Sequence, residues 1–471
     1  MLAADALLPI TPEETPKKSL FRCAANSASY LYSWYWPTAK RSAEEAELRL
    51  LSRLRFFSNS TNEDKDTSKV DYKTVAKIGL VDIGKGEKIN TLVIDTVRTD
   101  NGKKVTPPSP EFNPTEVSEE NAKELGYHAS PQTDLRMDTN ADIENVNKIP
   151  KKVLVITHGY GAGLGCYYRN FNSLSQVTGW RIYAIDWLGM GRSSRSAFPS
   201  SKRKAQTEEE IASDAEDFFV DSLERWREKN GIEEMTLLGH SMGGYLSAVY
   251  AMKYPNRVNK LILASPVGIP EGSLTPSQTK GASLSSSQAK EVPPNNSPKE
   301  FNNDNRRRLF IGLAVRLWSW NVTPQSIIRF TGRFGPSLVG GYVNRRFAFL
   351  DKEDQDDLKD YLYHISSMSG SGEYALGTIL KPGAFARKPL IDRLHELKVP
   401  TTFLYGAVDW MDYRHALEVR KRMNVPTKVV VIPRAGHQLF IENPVDFDNA
   451  VIAEMTDGPQ EHEVDAQDNQ L

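Results

Sequence analysis

Residues 235–253 constrain this chain more than any other stretch. An apolar run, Met235 to Leu238, passes into Gly239-His240-Ser241-Met242-Gly243, with a second glycine at Gly244 and an Ala/Tyr/Met-rich helical pattern behind it. Strand, Gly-x-Ser-x-Gly turn and helix together make the context of a nucleophile elbow, in which a strained turn presents a serine hydroxyl at the start of a helix. Glycine is needed at Gly239 and Gly243 because a Cβ at either place would crowd the neighbouring strand and helix. The helix N-terminus behind Ser241 offers backbone N–H groups to a developing anion. The plainer alternative is a tight strand–helix turn that happens to contain a serine.

An elbow of this kind predicts an acid and then a histidine further along the chain. Thr401 to Gly406 reads as a late strand ending in a glycine turn, with Asp409 three residues beyond it and Asp412 in the same loop. Lys428 to Ile432 reads as the next strand and runs into Arg434-Ala435-Gly436-His437. Among the eight histidines, only His437 combines a post-strand loop, a preceding glycine and a position after the acid. His437 is therefore the expected base. Spacing after the strand glycine favours Asp409 as the acid, with Asp412 as the alternative. The carboxylate not used would be a loop or N-cap group ahead of a helix at Arg414–Met423.

A second backbone donor is expected from the loop His158-Gly159-Tyr160-Gly161-Ala162-Gly163, which follows the buried run Val153–Thr157. Its glycines let the backbone approach a substrate oxygen closely. The expected oxyanion donors are the N–H groups of Met242 and Tyr160, with Gly161 next, and His158 is expected to be structural. The loop has neither the Lys-Ser/Thr of a P-loop nor dinucleotide spacing, which weighs against phosphate binding.

The formal net charge of −1 over 471 residues gives no global pull toward nucleic acid. The two cysteines, Cys23 and Cys166, make no disulfide framework and fit a reducing intracellular compartment. There is no metal-ligand cluster and no cofactor is implied. No run of 18 apolar residues offers a spanning helix, and the first residues lack a secretory pattern.

Strands alternate with helical segments from Lys152 onward: Lys152–Thr157, Arg181–Asp186, Met235–Leu238, Lys260–Ala264, Thr401–Tyr405 and Lys428–Ile432. Val75–Asp82 and Asn90–Thr96, parted by Gly84-Lys85-Gly86, read as an antiparallel hairpin at the sheet edge. Thr207–Lys229 reads as a long helix with Ile211, Ala215, Phe218, Phe219, Leu223 and Trp226 on one face. The economical architecture is an α/β-hydrolase fold, a mostly parallel eight-stranded sheet with a helical cap inserted after strand six. Seven segments follow from this reading. Residues 1–57 form an aromatic-rich membrane-interface segment and helix, and 58–74 a polar linker. Residues 75–270 are the first part of the core, with a polar insert at 100–149. Residues 271–305 are a disordered Ser/Pro/Asn/Gln insert, 306–395 the cap, 396–455 the second part of the core and 456–471 an acidic tail.

The motifs also resemble a narrower group. Asp186-Trp187-Leu188-Gly189-Met190-Gly191-Arg192-Ser193-Ser194-Arg195 and Lys260–Pro270 are similar to the lipid-acting α/β-hydrolase subfamily. So are the cap stretches Tyr361–His364, Ser371–Glu373 and Ala386–Leu390. That subfamily contains the adipose triglyceride-lipase coactivator, the N-acyl phospholipid lipases and the fungal cardiolipin-specific deacylases. The loop Tyr405-Gly406-Ala407-Val408-Asp409-Trp410-Met411-Asp412 resembles the fungal deacylase branch most. The resemblance implies a phospholipid acyl hydrolase with cardiolipin as the leading substrate, on a mitochondrial membrane or, alternatively, a lipid droplet or the endoplasmic reticulum. The family typically carries His, four residues, then Asp, a motif associated with acyl transfer, whereas His437-Gln438-Leu439-Phe440-Ile441-Glu442 puts Glu there. A lysophospholipid acyltransferase and a non-catalytic lipid-surface coactivator remain the other two readings.

Tyr30, Tyr32, Trp34, Tyr35 and Trp36 crowd a short segment ahead of a helical run at Ser42–Phe57, where Ser42 and Glu45 form a possible capping box. Trp and Tyr favour the bilayer interface, so Trp34, Tyr35 and Trp36 are the expected peripheral membrane contact. Packing of the same rings on the catalytic domain is the alternative. Cap arginines Arg306, Arg307, Arg308, Arg316, Arg329, Arg333, Arg345 and Arg346 suit phosphate contacts or, equally, solvated helix faces. No protein partner follows from the sequence.

Overall fold

The computed structural model describes residues 39–56, 72–98, 152–199, 206–270, 316, 318 and 321–456. The aromatic segment at Trp34–Trp36, the polar inserts and Arg306–Arg308 lie outside the described residues.

Eight runs rich in β-branched and aliphatic residues form one sheet. In chain order they are β1 (Tyr72–Asp82), β2 (Lys88–Arg98), β3 (Lys152–Thr157), β4 (Trp180–Ile185), β5 (Met235–His240), β6 (Val258–Ala264), β7 (Thr401–Gly406) and β8 (Thr427–Ile432). The spatial order is β1-β2-β4-β3-β5-β6-β7-β8. β1 pairs antiparallel with β2 from Tyr72↔Arg98 to Asp82↔Lys88, β2 pairs antiparallel with β4, and every later pairing is parallel. The hairpin turns through Gly84, Lys85 and Gly86, all at positive φ.

Successive strand residues feed opposite cores, as the two-residue period of a strand requires. Val155, Tyr183, Leu237, Leu261 and Leu263 face one side, which α2 (Glu208–Lys229) covers with Phe219, Leu223 and Trp226 and α3 (Met242–Lys253) with Tyr245 and Leu246. Leu154, Ile156, Ile182, Leu238 and Ile262 face the other. A Thr207–Glu210 capping box starts α2. Phe218 is half-buried and meets Phe198 edge-on.

The second face is covered by α1 (Ala39–Leu51), by three cap helices set between β6 and β7, and by the last helix. The cap helices are α4 (Pro324–Phe330), α5 (Gly335–Arg346) and α6 (Lys352–Ser367). α7 (Arg414–Arg420) is shorter than the expected Arg414–Met423, and α8 (Pro444–Thr456) closes the fold. α1 differs from the expected Ser42–Phe57 at both ends, and Ser42 is its fourth residue rather than the one ahead of it. Tertiary packing sets its register: Ala43, Ala46, Leu50 and Leu51 are fully buried.

Glu47 of α1 enters the interior. It accepts from Asn90 Nδ2 at 3.1 Å, pairs with Arg192 and meets Tyr361 of α6 at 3.3 Å. Burial pushes its carboxyl up to about 7 despite the Arg192 charge. Asp186, at the end of β4, accepts from Asn90 Nδ2 and Arg192 N at 2.8 Å and from Leu164 N at 2.7 Å. One polar knot thus ties α1, β2, the loop after β4 and the cap together.

Asp448 of α8 is a second buried carboxyl, accepting from Asn170 Nδ2 at 2.8 Å while the same amide donates to Phe440 O. Burial pushes its pKa up to about 7, against the pull of Asn170 and Ser173. The unfolded value is about 3.9, so the folded chain holds the extra proton between about pH 4 and 7 and loses stability as pH rises through that window. Asp448→Asn is expected to flatten this fall and to raise the melting temperature at pH 8 relative to wild type, with a gain of at most about 4 kcal/mol. Thermal unfolding followed across pH 4–8 checks it, and an unchanged pH profile would count against a raised Asp448.

Candidate active site

β5 ends at His240 and α3 begins at Met242, leaving Ser241 alone at φ +54°, ψ −117°. A non-glycine residue held there costs about 1–3 kcal/mol. Ser241 N donates to Ala264 O at 2.9 Å, and Ser241 O accepts from Tyr245 N at 3.1 Å. A Cβ on Gly239 would lie 2.4 Å from Gly243 O and Ser247 Oγ, and one on Gly243 would lie 2.4 Å from His158 O. The two glycines therefore let strand and helix close on the turn, with Ser241 at the start of a helix whose first N–H groups have no intrahelical acceptor.

His437 Nε2 lies 3.0 Å from Ser241 Oγ, and its Nδ1 lies 3.2 and 3.4 Å from the two Asp409 oxygens. The Asp409 side chain is fully buried and accepts from Met411 N at 3.0 Å. Burial raises its pKa, but the bond and charge of His437, with the Met411 N–H, outweigh it and hold the carboxyl below its ordinary value. Asp412 is turned elsewhere: it accepts from Arg414 N and Nε at 2.9 Å and stands at the start of α7.

The loop after β3 lies flush with the serine, since a Cβ on Gly159 would be 2.9 Å from Ser241 Cβ. Gly161 has φ +69°, and Tyr160 Oη donates to Gln325 Oε1 of α4 at 2.6 Å, so the cap meets this loop directly. His158 is buried and neutral: Nδ1–H donates to Gly159 O at 2.8 Å and Nε2 accepts from Trp187 N at 3.2 Å. Burial lowers its pKa.

Two residues that the sequence did not single out as site groups hold His437 from behind. His240 Nε2–H donates to His437 O at 2.8 Å, with the two rings 4.9 Å apart. Burial, then the charge of His437, pushes its pKa down to about 3. The Glu442 carboxylate accepts from Gly436 N at 2.7 Å and from Gln438 N at 3.0 Å, one on each side of His437, and also pairs with Arg346 at the end of α5. Its position five residues after His437 was the available signal, visible only as a departure from the His-x4-Asp pattern.

The cap arginines divide. Arg329 binds Glu373 at 2.8 Å and Met368 O at 3.0 Å, and Arg346 binds Glu442, so both are matched by carboxylates within the fold. Arg333 and Arg345 are exposed.

Removing the Glu442 carboxylate frees the loop on both sides of His437. Glu442→Ala is expected to slow labelling of Ser241 by a fluorophosphonate probe about 10²-fold, the scale of a 1 Å misplacement. Glu442→Gln, which keeps one acceptor oxygen, should fall between the two. Labelling rates with unfolding curves for each variant separate lost geometry from lost folding, and a wild-type rate in Glu442→Ala would refute the clamp.

The model of the family described as alpha/beta hydrolase fold matches residues 152–314. A 1-acylglycerol-3-phosphate O-acyltransferase of Arabidopsis thaliana is 39% identical over 305 residues, 64% of this chain and 65% of that one. The (lyso)-N-acylphosphatidylethanolamine lipase of Homo sapiens is 34% identical over 310 residues, covering 64% of this chain and 79% of that one. The human 1-acylglycerol-3-phosphate O-acyltransferase ABHD5 is 32% identical over 312 residues, 65% of this chain and 77% of that one. The chain therefore spans just under two thirds of the plant relative's length and more than three quarters of the two human ones. With this strand order, it belongs to the α/β-hydrolase family, in the lipid-acting group of the (lyso)-N-acylphosphatidylethanolamine lipases and ABHD5.

Proposed function

We propose that the protein is a serine-dependent acyl-ester hydrolase of membrane phospholipid, releasing a fatty acid and a lysolipid. The observation that carries this reading is the continuous line from Ser241 Oγ through His437 to the buried Asp409. Ser241 Oγ attacks the ester carbonyl carbon while its proton passes to His437 Nε2, and Asp409 fixes the tautomer and balances the imidazolium. The carbonyl oxygen becomes an oxyanion stabilised by the N–H groups of Met242 and Tyr160, with Gly161 beside them. Collapse breaks the ester C–O bond, and the departing lysolipid oxygen takes the proton from His437. Water then gives its proton to His437 and attacks the acyl-enzyme, freeing the fatty acid and restoring Ser241.

The phospholipid class is supported by the human relative named a (lyso)-N-acylphosphatidylethanolamine lipase. Within that class cardiolipin is the leading substrate, on the sequence of the loop Tyr405–Asp412, and its hydrolysis implies a mitochondrial membrane. The surface of a lipid droplet or of the endoplasmic reticulum is the alternative address. The plant and human relatives named acyltransferases favour a second reading, in which the same acyl-enzyme passes its chain to a lysophospholipid. Against it stands the engagement of Glu442, at the position of the family's Asp, by two backbone N–H groups and Arg346.

Fatty-acid release by the purified protein from vesicles with and without cardiolipin tests the proposal. Ser241→Ala should remove turnover with the fold intact. Asp409→Asn should lower kcat about 10⁴-fold, whereas Asp412→Asn should stay within about twofold of wild type. Acyl transfer to labelled lysophosphatidic acid without free fatty acid would decide for the transferase, and full release by Ser241→Ala would end the mechanism.

A further inference from the structure

Large apolar side chains are exposed very unevenly over the described surface. Ile327, Phe330, Phe334, Leu338, Tyr342 and Phe349 all lie between α4 and the turn after α5, and Phe330 is 92% exposed. Val408 and Trp410 are exposed in the acid loop, where the Trp410 ring lies 5.2 Å from that of His437. Contacts join these segments around the serine. Gln325 at the start of α4 meets Tyr160 in the loop beside Ser241, and Arg346 at the end of α5 pairs with Glu442 behind His437. The apolar cap face thus borders the site along both flanks.

α5 is apolar on two sides, burying Val339 and Val343 in the core while presenting Leu338 and Tyr342 outward. A helix of this kind calls for two apolar surroundings, and a contiguous exposed patch marks a binding surface. Its rim is basic. Arg333 and Arg345 are exposed, and the Arg333 guanidinium lies 5.0 Å over the Phe334 ring. Aromatic rings beside free-standing guanidinium groups match the boundary of an anionic bilayer, where a basic side chain is worth about 1 kcal/mol. Among the described residues no helix is long and apolar enough to cross a membrane, so a contact of this kind lies along the surface.

We propose that the outer face of α4–α5, together with Trp410, is the surface on which this protein rests on an anionic phospholipid bilayer, with the mouth above Ser241 against the lipid. The inference rests on the lipid-hydrolase reading for the chemistry of its occupant, and it assigns to the cap an interfacial contact separate from Trp34–Trp36.

The test uses the full chain, sedimented with vesicles of phosphatidylcholine alone or mixed with phosphatidylglycerol, beside hydrolysis of a soluble short-chain p-nitrophenyl ester. Phe330→Ser/Phe334→Ser is expected to weaken binding to anionic vesicles more than about tenfold, with soluble-ester turnover unchanged. Arg333→Gln/Arg345→Gln should abolish the preference for anionic vesicles and its salt sensitivity. Wild-type vesicle binding by both variants would overturn the proposal and point to coverage of this face by another part of the chain or by a protein. Cap-dependent vesicle binding in a protein that turns over no ester would support the docking surface and count against the hydrolase reading.

Discussion

The turn at Ser241 is locked by approaches too close to relax. With Gly243 pressed on His158 O and Gly239 pressed on Gly243 O, β3, β5 and α3 meet without space for a side chain. The left-handed serine costs about 1–3 kcal/mol. Leu237, Leu238, Tyr245 and Leu246 are each fully buried around it, and their burial offsets that strain several times over. Because the sheet is covered on both faces, the turn cannot open without exposing core, so the hydroxyl stays aimed at His437 before any substrate arrives.

The base is held differently. Asp409 governs its ring, while Glu442 fixes the backbone on either side and His240 the carbonyl between. This division matters because His437 sits on a loop, where a lone carboxylate contact would leave the ring free to swing. His240 serves only as a neutral donor: with its pKa pushed down to about 3, it adds no charge beside the base at neutral pH. Arg346 completes Glu442's coordination and belongs to the cap, so the cap also braces the loop that carries the base.

The parts written in local pattern were legible in the sequence. Six core strands, the edge hairpin, the long helix after Thr207 and the chain order of serine, acid and histidine all follow from periodicity, turn residues and spacing. Choosing between Asp409 and Asp412 needed geometry, because both sit in one loop and differ in which neighbour each meets, His437 or Arg414. The knot of Glu47, Asn90, Asp186, Arg192 and Tyr361 escaped for a similar reason. Its members are spread from residue 47 to residue 361, and no local pattern pairs them. α1 was misplaced at its start because Ser42 and Glu45 make a local capping pattern that the helix, beginning at Ala39, runs through. Arginine clustering in the cap likewise failed to distinguish Arg329 and Arg346, paired inward, from Arg333 and Arg345, facing out.

Hydrolysis and acyl transfer share Ser241, His437 and Asp409, so the partition between them is set outside the triad. Both need His437 to deprotonate an acceptor poised over the acyl-enzyme, and that acceptor must reach a ring whose side chain is only 12% exposed. Access narrows further where the Trp410 ring lies against His437. A water molecule is small enough for such an approach, whereas a lysolipid acceptor brings a head group and an acyl chain that need room of their own. The partition therefore turns on whether the cap's inner surface and Trp410 hold a second lipid beside the acylated serine or leave that volume to solvent. On the proposed reading the outcome is set by shape at the mouth rather than by the chemistry beneath it.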